Sequence, residues 1–374
     1  MGLRGLVLVL MGRLHDAAET CRQLIAVAEE RPDAAAVAAS AGYVGLGQML
    51  YEWNDLNAAQ AALETGIELA QRSASLYEHA EGLVAMASLW QARGEPETAL
   101  EMLRRTERLM HPGAQFPWLV PYVAALRVRL ELRQGQLARA ERWAAERGLL
   151  DGAFEPRGPN QVQEFEYLTL ARLLLRNGEA QAAAALVERL LPQAIHEERT
   201  GSEIELRAVA ALAYEAAGRH DDARDSLATA LELAAPEGYV RHFVDEGEPL
   251  HALLLHLRAA PPRPTGVGAG HVPPDRGVRT LRAYIEKLLA AFEDEVPSSR
   301  VEGPRATAPV EPLSAREREV LALLAEGRSS QEIADQLVVA VSTVKTHIHH
   351  IYTKLQSGGR VRAIARAREL GLRE

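Results

Sequence analysis

Close to its carboxyl end the chain carries a stretch, Ser342 to Leu355, whose residue types are suited to chemistry on a polar surface. Val344, Ile348, Ile351 and Leu355 follow one another at steps of four, three and four, the period of one buried helical face. The opposite face then presents Ser342, Thr346, His349 and Thr353, with Lys345 and His350 at its edges, and no acidic or large aliphatic residue interrupts it. Hydroxyls, an imidazole and an ammonium on a rigid helix suit the base edges and phosphates of a DNA major groove. His347, His349 and His350 raise metal binding as a second chemistry. His347 and His350 share a face, but no nearby carboxylate or cysteine completes a ligand set, and no metal is expected.

Catalytic patterns are missing. The only three lysines are Lys287, Lys345 and Lys354, and none lies in the GxxxxGK[ST] frame that cradles nucleotide phosphates. The chain has no HExxH, GxSxG or CxxC pattern. Neither an enzyme nor a cofactor is expected.

A helical framework must hold the polar face. Ser314 and Glu317 have capping-box spacing, as do Ser329 and Glu332. Val320, Leu321 and Leu324 give the first helix an apolar face, and Gly327 stops it. Ile333, Ala334 and Leu337 face inward on the second, and the third spans about 341–355. A last helix, Arg360 to Leu370, sets Arg360, Arg362, Arg366 and Arg368 beside Ile364, Ala365 and Leu370. Charge follows this division. The chain carries −9 overall, yet from Leu313 onward ten Lys and Arg face seven Asp and Glu, against 32 and 44 in the remainder. The acidic body would repel DNA; the tail would not.

The first two thirds repeat. Gly12, Asn54, Gly94, Gly135, Gly178 and Gly218 are spaced by 42, 40, 41, 43 and 40 residues, and each is followed five residues later by alanine. Each unit reads as two amphipathic helices around a tight turn. Glycine, with asparagine in its role once, supplies the left-handed residue, and alanine lets the second helix approach the first. Tyr43, Trp90, Trp143 and Tyr214 are expected as core wedges, and Cys21 as a small buried hydrophobe. One cysteine excludes an internal disulfide framework and suits a reducing cytoplasm. The opening run around Leu6–Leu10 lacks a cleavage-site pattern, and no stretch reaches membrane-span length. No polar cap precedes the first unit. That predicts either shielding by another chain or a place behind further domains of a longer architecture.

The repeats resemble the tetratricopeptide family over roughly residues 1–245, with units longer than its usual period. LSAREREVL, EIADQL, STVKTHI, IYTKL and ARARELGL closely resemble the LuxR-type helix-turn-helix family. The segment Gly238–Leu254 is similar to the connector of large LuxR-type regulators related to the maltose regulator. These resemblances imply that Lys345, Thr346 and His349 reach bases or nearby phosphates. They imply that Thr343 supports the start of the reading helix, that Ser342 and Lys354 also contact DNA, and that Arg360, Ile364 and Arg368 on the last helix pair two tails into a dimer.

The expected fold is therefore all-α: a tetratricopeptide-like superhelix over 1–258, a linker over 259–312 with one helix near 279–293, and a four-helix LuxR-type domain over 313–374. The expected function is a DNA-binding transcriptional regulator acting on double-stranded DNA as a homodimer. Its repeat groove would take a small-molecule or protein effector, and no membrane would be involved. The alternative is a repeat-based interaction scaffold with a degenerate DNA-binding tail, which Ala340 in a capping position and the Gly358-Gly359 loop favour.

Overall fold

Six tight turns set the architecture of the long first part. The structure, a computed structural model, describes residues 8–9, 11–30, 36–110, 119–150, 161–259, 274–295, 314–325, 328, 330–337 and 344. At every turn the residue singled out by spacing is left-handed: Gly12, Asn54, Gly94, Gly135, Gly178 and Gly218 have φ of 74, 66, 73, 76, 80 and 77°. The amide of the turn residue and that of its successor bond back into the preceding helix. Gly94 N donates to Gln91 O at 3.0 Å and Glu95 N to Trp90 O at 2.9 Å, and the same pair recurs at Gly218 and Arg219. This hydrogen-bond pair terminates a helix and satisfies carbonyls it would otherwise orphan.

Eleven helices follow from these turns and their inter-unit partners: α1 (Leu14–Glu30), α2 (Ala36–Glu52), α3 (Leu56–Arg72), α4 (Leu76–Ala92), α5 (Pro96–Leu109), α6 (Leu119–Arg133), α7 (Leu137–Glu146), α8 (Gln161–Arg176), α9 (Ala180–His196), α10 (Thr200–Ala216) and α11 (His220–Ala234). The alanines five residues past the turns, Ala17, Ala59, Ala99, Ala140, Ala183 and Ala223, are at most 1% exposed. A larger side chain there would hold the paired helices apart. Of the four expected wedges, Trp143 is buried, but Tyr43, Trp90 and Tyr214 are only half-buried. Arg93 lies over Trp90 and Arg219 over Tyr214, so these rings serve as platforms for cations at the surface. Cys21 is buried, and burial pushes its thiol up to about 11.

The array closes on itself. Leu8, Leu14, Ala17 and Ala18 of the first unit are buried in one cluster with Ile204, Ala208 and Ala211 of α10, and Leu227 and Leu231 of α11. Tyr239, Val240 and Phe243 join the same cluster. The first turn abuts the start of α10: a Cβ on Gly12 would lie 2.8 Å from Thr200 Cβ. Leu8, Leu14, Ala17 and Ala18 of the first unit are thus covered within the chain. Two short helices continue past α11, α12 (Arg241–Val244) and α13 (Glu248–Ala259).

The helix expected near 279–293 inside a linker spans Pro274–Glu295 (α14). It belongs to the same compact unit as the array, residues 1–295, and buries Tyr284, Ile285, Leu288, Leu289 and Phe292 in the closing cluster. The second unit, residues 296–374, contributes α15 (Ala315–Ala325) and α16 (Ser330–Leu337). No strand occurs among the described residues, and none of their helices is long and apolar enough to cross a membrane.

Candidate functional sites

In the tail, Ser314 and Glu317 form the capping box that their spacing predicts. Ser314 N donates to Glu317 Oε2 at 2.7 Å, and Glu317 N donates to Ser314 Oγ at 3.2 Å. Arg316 Nη2 donates to Leu337 O at 2.9 Å, tying the start of α15 to the end of α16 and supplying a partner for a terminal carbonyl. Val320, Leu321, Leu323, Ile333 and Ala334 are buried between these two helices and their surroundings, and Val344 is helical and fully buried. Leu323 thus has a place in the apolar face that spacing had not given it. Ser342, Thr343, Lys345, Thr346, His349, Lys354, Arg360, Ile364 and Arg368 lie outside the described residues.

The closed array surrounds a cavity of about 920 Å³. Its wall follows the repeat register. The residue three places before each turn, Val9, Tyr51, Gln91, Leu132, Leu175 and Glu215, lines it in all six units. The residue six places before lines it in four, as Ser88, Arg129, Arg172 and Leu212. One helix of each unit therefore presents the same stripe inward. The repeat spacing carried this information, but nothing local marks which stripe faces a cavity.

Two ionic clusters stand in the wall. In the first, Arg129 Nη1 and Arg172 Nη2 donate to the same oxygen of Glu205, at 2.8 and 2.9 Å, and Arg172 also pairs with Glu246. Arg129 reaches Thr169 Oγ1 at 2.9 Å, and its guanidinium stacks 3.5 Å from the centre of the Phe165 ring. Burial alone would raise the Glu205 carboxyl; Arg129 and Arg172 override it and hold the carboxyl down at about 2. In the second, Asp245 accepts from Tyr51 OH at 2.6 Å, from Arg133 at 3.2 Å and from the fully buried Arg241. Beside it, His242 Nδ1 lies 2.8 Å from Glu52 Oε2. Burial works against charging this imidazole, but Glu52, with Glu205 and Asp245 behind it, raises it to about 9.

Arg176, Glu215 and Glu248 also line the cavity and bring the whole wall into balance, so a ligand entering here needs to bring no charge. Tyr122 and Phe165, with ring centres 4.4 Å apart, and Leu126 and Leu130 offer an apolar wall. Gln91 and Tyr239 also line the cavity, and the Gln91 Oε1 and the Tyr239 hydroxyl are themselves buried with no hydrogen-bond partner among the described residues. This mixture, mostly apolar with a few convergent polar atoms, is what small-molecule sites present. Sequence reasoning anticipated a groove but named none of these residues. No group of His, Cys, Asp and Glu among the described residues is arranged to hold a metal.

Two family models match the chain. One, described as the MalT-like TPR region, matches residues 3–260, and the other, described as bacterial regulatory proteins of the luxR family, matches residues 311–367. The first covers the closed array with α12 and α13, and the second covers the capped tail helices and Val344. A luxR-family tail supports a DNA-binding regulator, and neither family is enzymatic. The chain belongs to the family of the MalT-like TPR region and joins that region to a luxR-family DNA-binding tail.

Proposed function

We propose that the protein is an effector-responsive transcription regulator, with residues 1–258 as the sensor and 313–374 as the reader of double-stranded DNA. The observation that carries this reading is a charge-compensated cavity, lined by the MalT-like array, in the same chain as a luxR-family tail. The effector is a small uncharged molecule that stacks on Tyr122 and Phe165 beside Gln91. The reading helix is about 341–355. With Val344 inward, about 100° per residue sets Ser342, Thr346 and His349 on the far side and Thr343, Lys345 and Lys354 on its flanks. Two readers act together on a two-fold site, paired through Arg360, Ile364 and Arg368.

Selection of bound duplexes from a random DNA pool by the full chain tests the reader. An enriched palindromic sequence is expected, and the absence of any enriched sequence overturns the reading. For the sensor, fractionated cell extract is screened by thermal shift. A fraction that raises the melting temperature of the wild type but not of Gln91→Leu is expected, and equal shifts would place the effector elsewhere.

A further inference from the structure

The nine residues Glu237–Asp245 do three jobs at once. They close the array, they line the cavity, and they dock α14. On one side the end of α2 grips them. Val240 N donates to Glu52 O at 2.9 Å and to Glu52 Oε1 at 3.2 Å. His242 N donates to the same Oε1 at 3.0 Å, and Trp53 Nε1 donates to Glu237 O at 2.9 Å. On the other side Tyr284 of α14 donates its hydroxyl proton to Tyr239 O, and its ring meets Phe243 edge-on at 6.3 Å. Facing the cavity are Tyr239, Arg241, His242 and Asp245.

We propose that this segment is a latch that couples the cavity to α14. Closing the latch on α2 and docking α14 are one cooperative event, and a ligand packed against the cavity side of the segment holds both closed. The physical reason is the size of the shared element. Nine residues with buried contacts on three sides cannot shift at one contact without moving the other two, because packed interfaces switch between discrete arrangements. Arg241, His242 and Asp245 of the segment line the cavity, so a ligand bound there touches the latch directly. The ligand arm rests on the effector reading above; the linkage between latch and α14 does not.

Linkage is reciprocal, so the coupling is tested from both ends without any ligand. Native-state hydrogen exchange is followed on the full chain for the wild type, Glu52→Gln and Tyr284→Phe. Glu52→Gln, which changes only α2, is expected to raise exchange of the α14 amides of residues 285–292 by tenfold or more. Exchange in α4 and α5 stays at the wild-type rate. Tyr284→Phe, a mild change that keeps the ring, is expected to raise exchange at Val240 and His242, although their own acceptor on Glu52 is untouched. The latch is overturned if α14 stays protected while Val240 and His242 open in Glu52→Gln, or if Tyr284→Phe leaves those two amides unchanged. A DNA selection that fails while both exchange effects appear removes the regulator reading and leaves the latch standing.

Discussion

Arg241 Nη1 donates a 3.1 Å hydrogen bond to Oδ1 of Asn54, a residue 187 positions earlier in the chain. Asn54 is the one turn residue of the six that is not glycine, and it holds φ of 66°. Asparagine tolerates that conformation better than other residues with a Cβ. Its amide also supplies an acceptor to a guanidinium that is 1% exposed, which glycine could not do. Asn54→Gly is therefore expected to lose the bond but keep the turn relaxed, and Asn54→Ala to lose the bond and strain the turn. Urea unfolding should rank the wild type above Asn54→Gly and Asn54→Gly above Asn54→Ala, with about 1–2 kcal/mol between the last two. Equal stability of the two variants would contradict the account.

The other turns allow a cleaner comparison. A Cβ on Gly94 would meet nothing within 4 Å, so Gly94→Ala should cost only its left-handed backbone, about 1–2 kcal/mol. At Gly12 the same substitution adds contact with Thr200 Cβ and with the Gly201 amide at 3.2 Å. Gly12→Ala should be the more damaging in thermal unfolding, because it also pries the first unit from α10. The reverse order would mean that the first turn is not closely packed against α10.

Stability should fall at both ends of the pH scale for identified reasons. His242 is raised in the fold from 6.5 to about 9, so its contribution is complete below about pH 6.5 and is lost as pH rises through about 9. Glu205 is held down from 4.5 to about 2, so its contribution is complete above about pH 4.5 and is lost as pH falls through about 2. Melting temperatures of the wild type and His242→Asn across this range check the first statement. The variant should show a flatter alkaline limb, and an identical limb would remove His242 from the account.

At the tail, Ser314→Ala removes the acceptor of the Glu317 amide and keeps the bond from the Ser314 amide to the Glu317 carboxylate. A loss of about 1 kcal/mol is expected. It should appear as faster amide exchange within α15, with the array's melting unchanged. Unaltered exchange would show that Arg316 and Leu337 secure the helix start by themselves.

Lys345→Ala should cripple DNA binding and leave the far-ultraviolet circular dichroism spectrum intact. A lost base contact costs about 1–3 kcal/mol and relaxes preference at one position, whereas a lost phosphate contact weakens all sequences and lowers the salt slope by about one. Affinity at two salt concentrations separates the two. Undiminished affinity would displace the whole proposed reading face, because Thr346 and His349 rest on the same helical phase.

The sequence alone determined what depends on local stereochemistry. A positive φ is least costly for glycine and asparagine, and close helix pairing needs a small residue five places later, so Gly94 with Ala99 and Asn54 with Ala59 were legible as turns. Ser314 with Glu317 was legible as a cap for the same reason, since its partners are three residues apart. The tertiary structure alone decided the closure. Glu52 and His242 meet across 190 positions, and Arg241 is buried because Tyr51, Asn54 and Asp245 surround it after the array has come full circle. Read locally, Arg241 and His242 are a polar pair on a short helix, with nothing to mark them as interior. The inward stripe of Gln91 and its counterparts was present in the repeat register, but which of several stripes faces inward is set by the curvature of the packed array. Curvature is a sum over many helix contacts, and no single unit encodes it. The docking of α14 is of the same kind: its apolar face was visible, and the surface it covers exists only once the first and last units have joined.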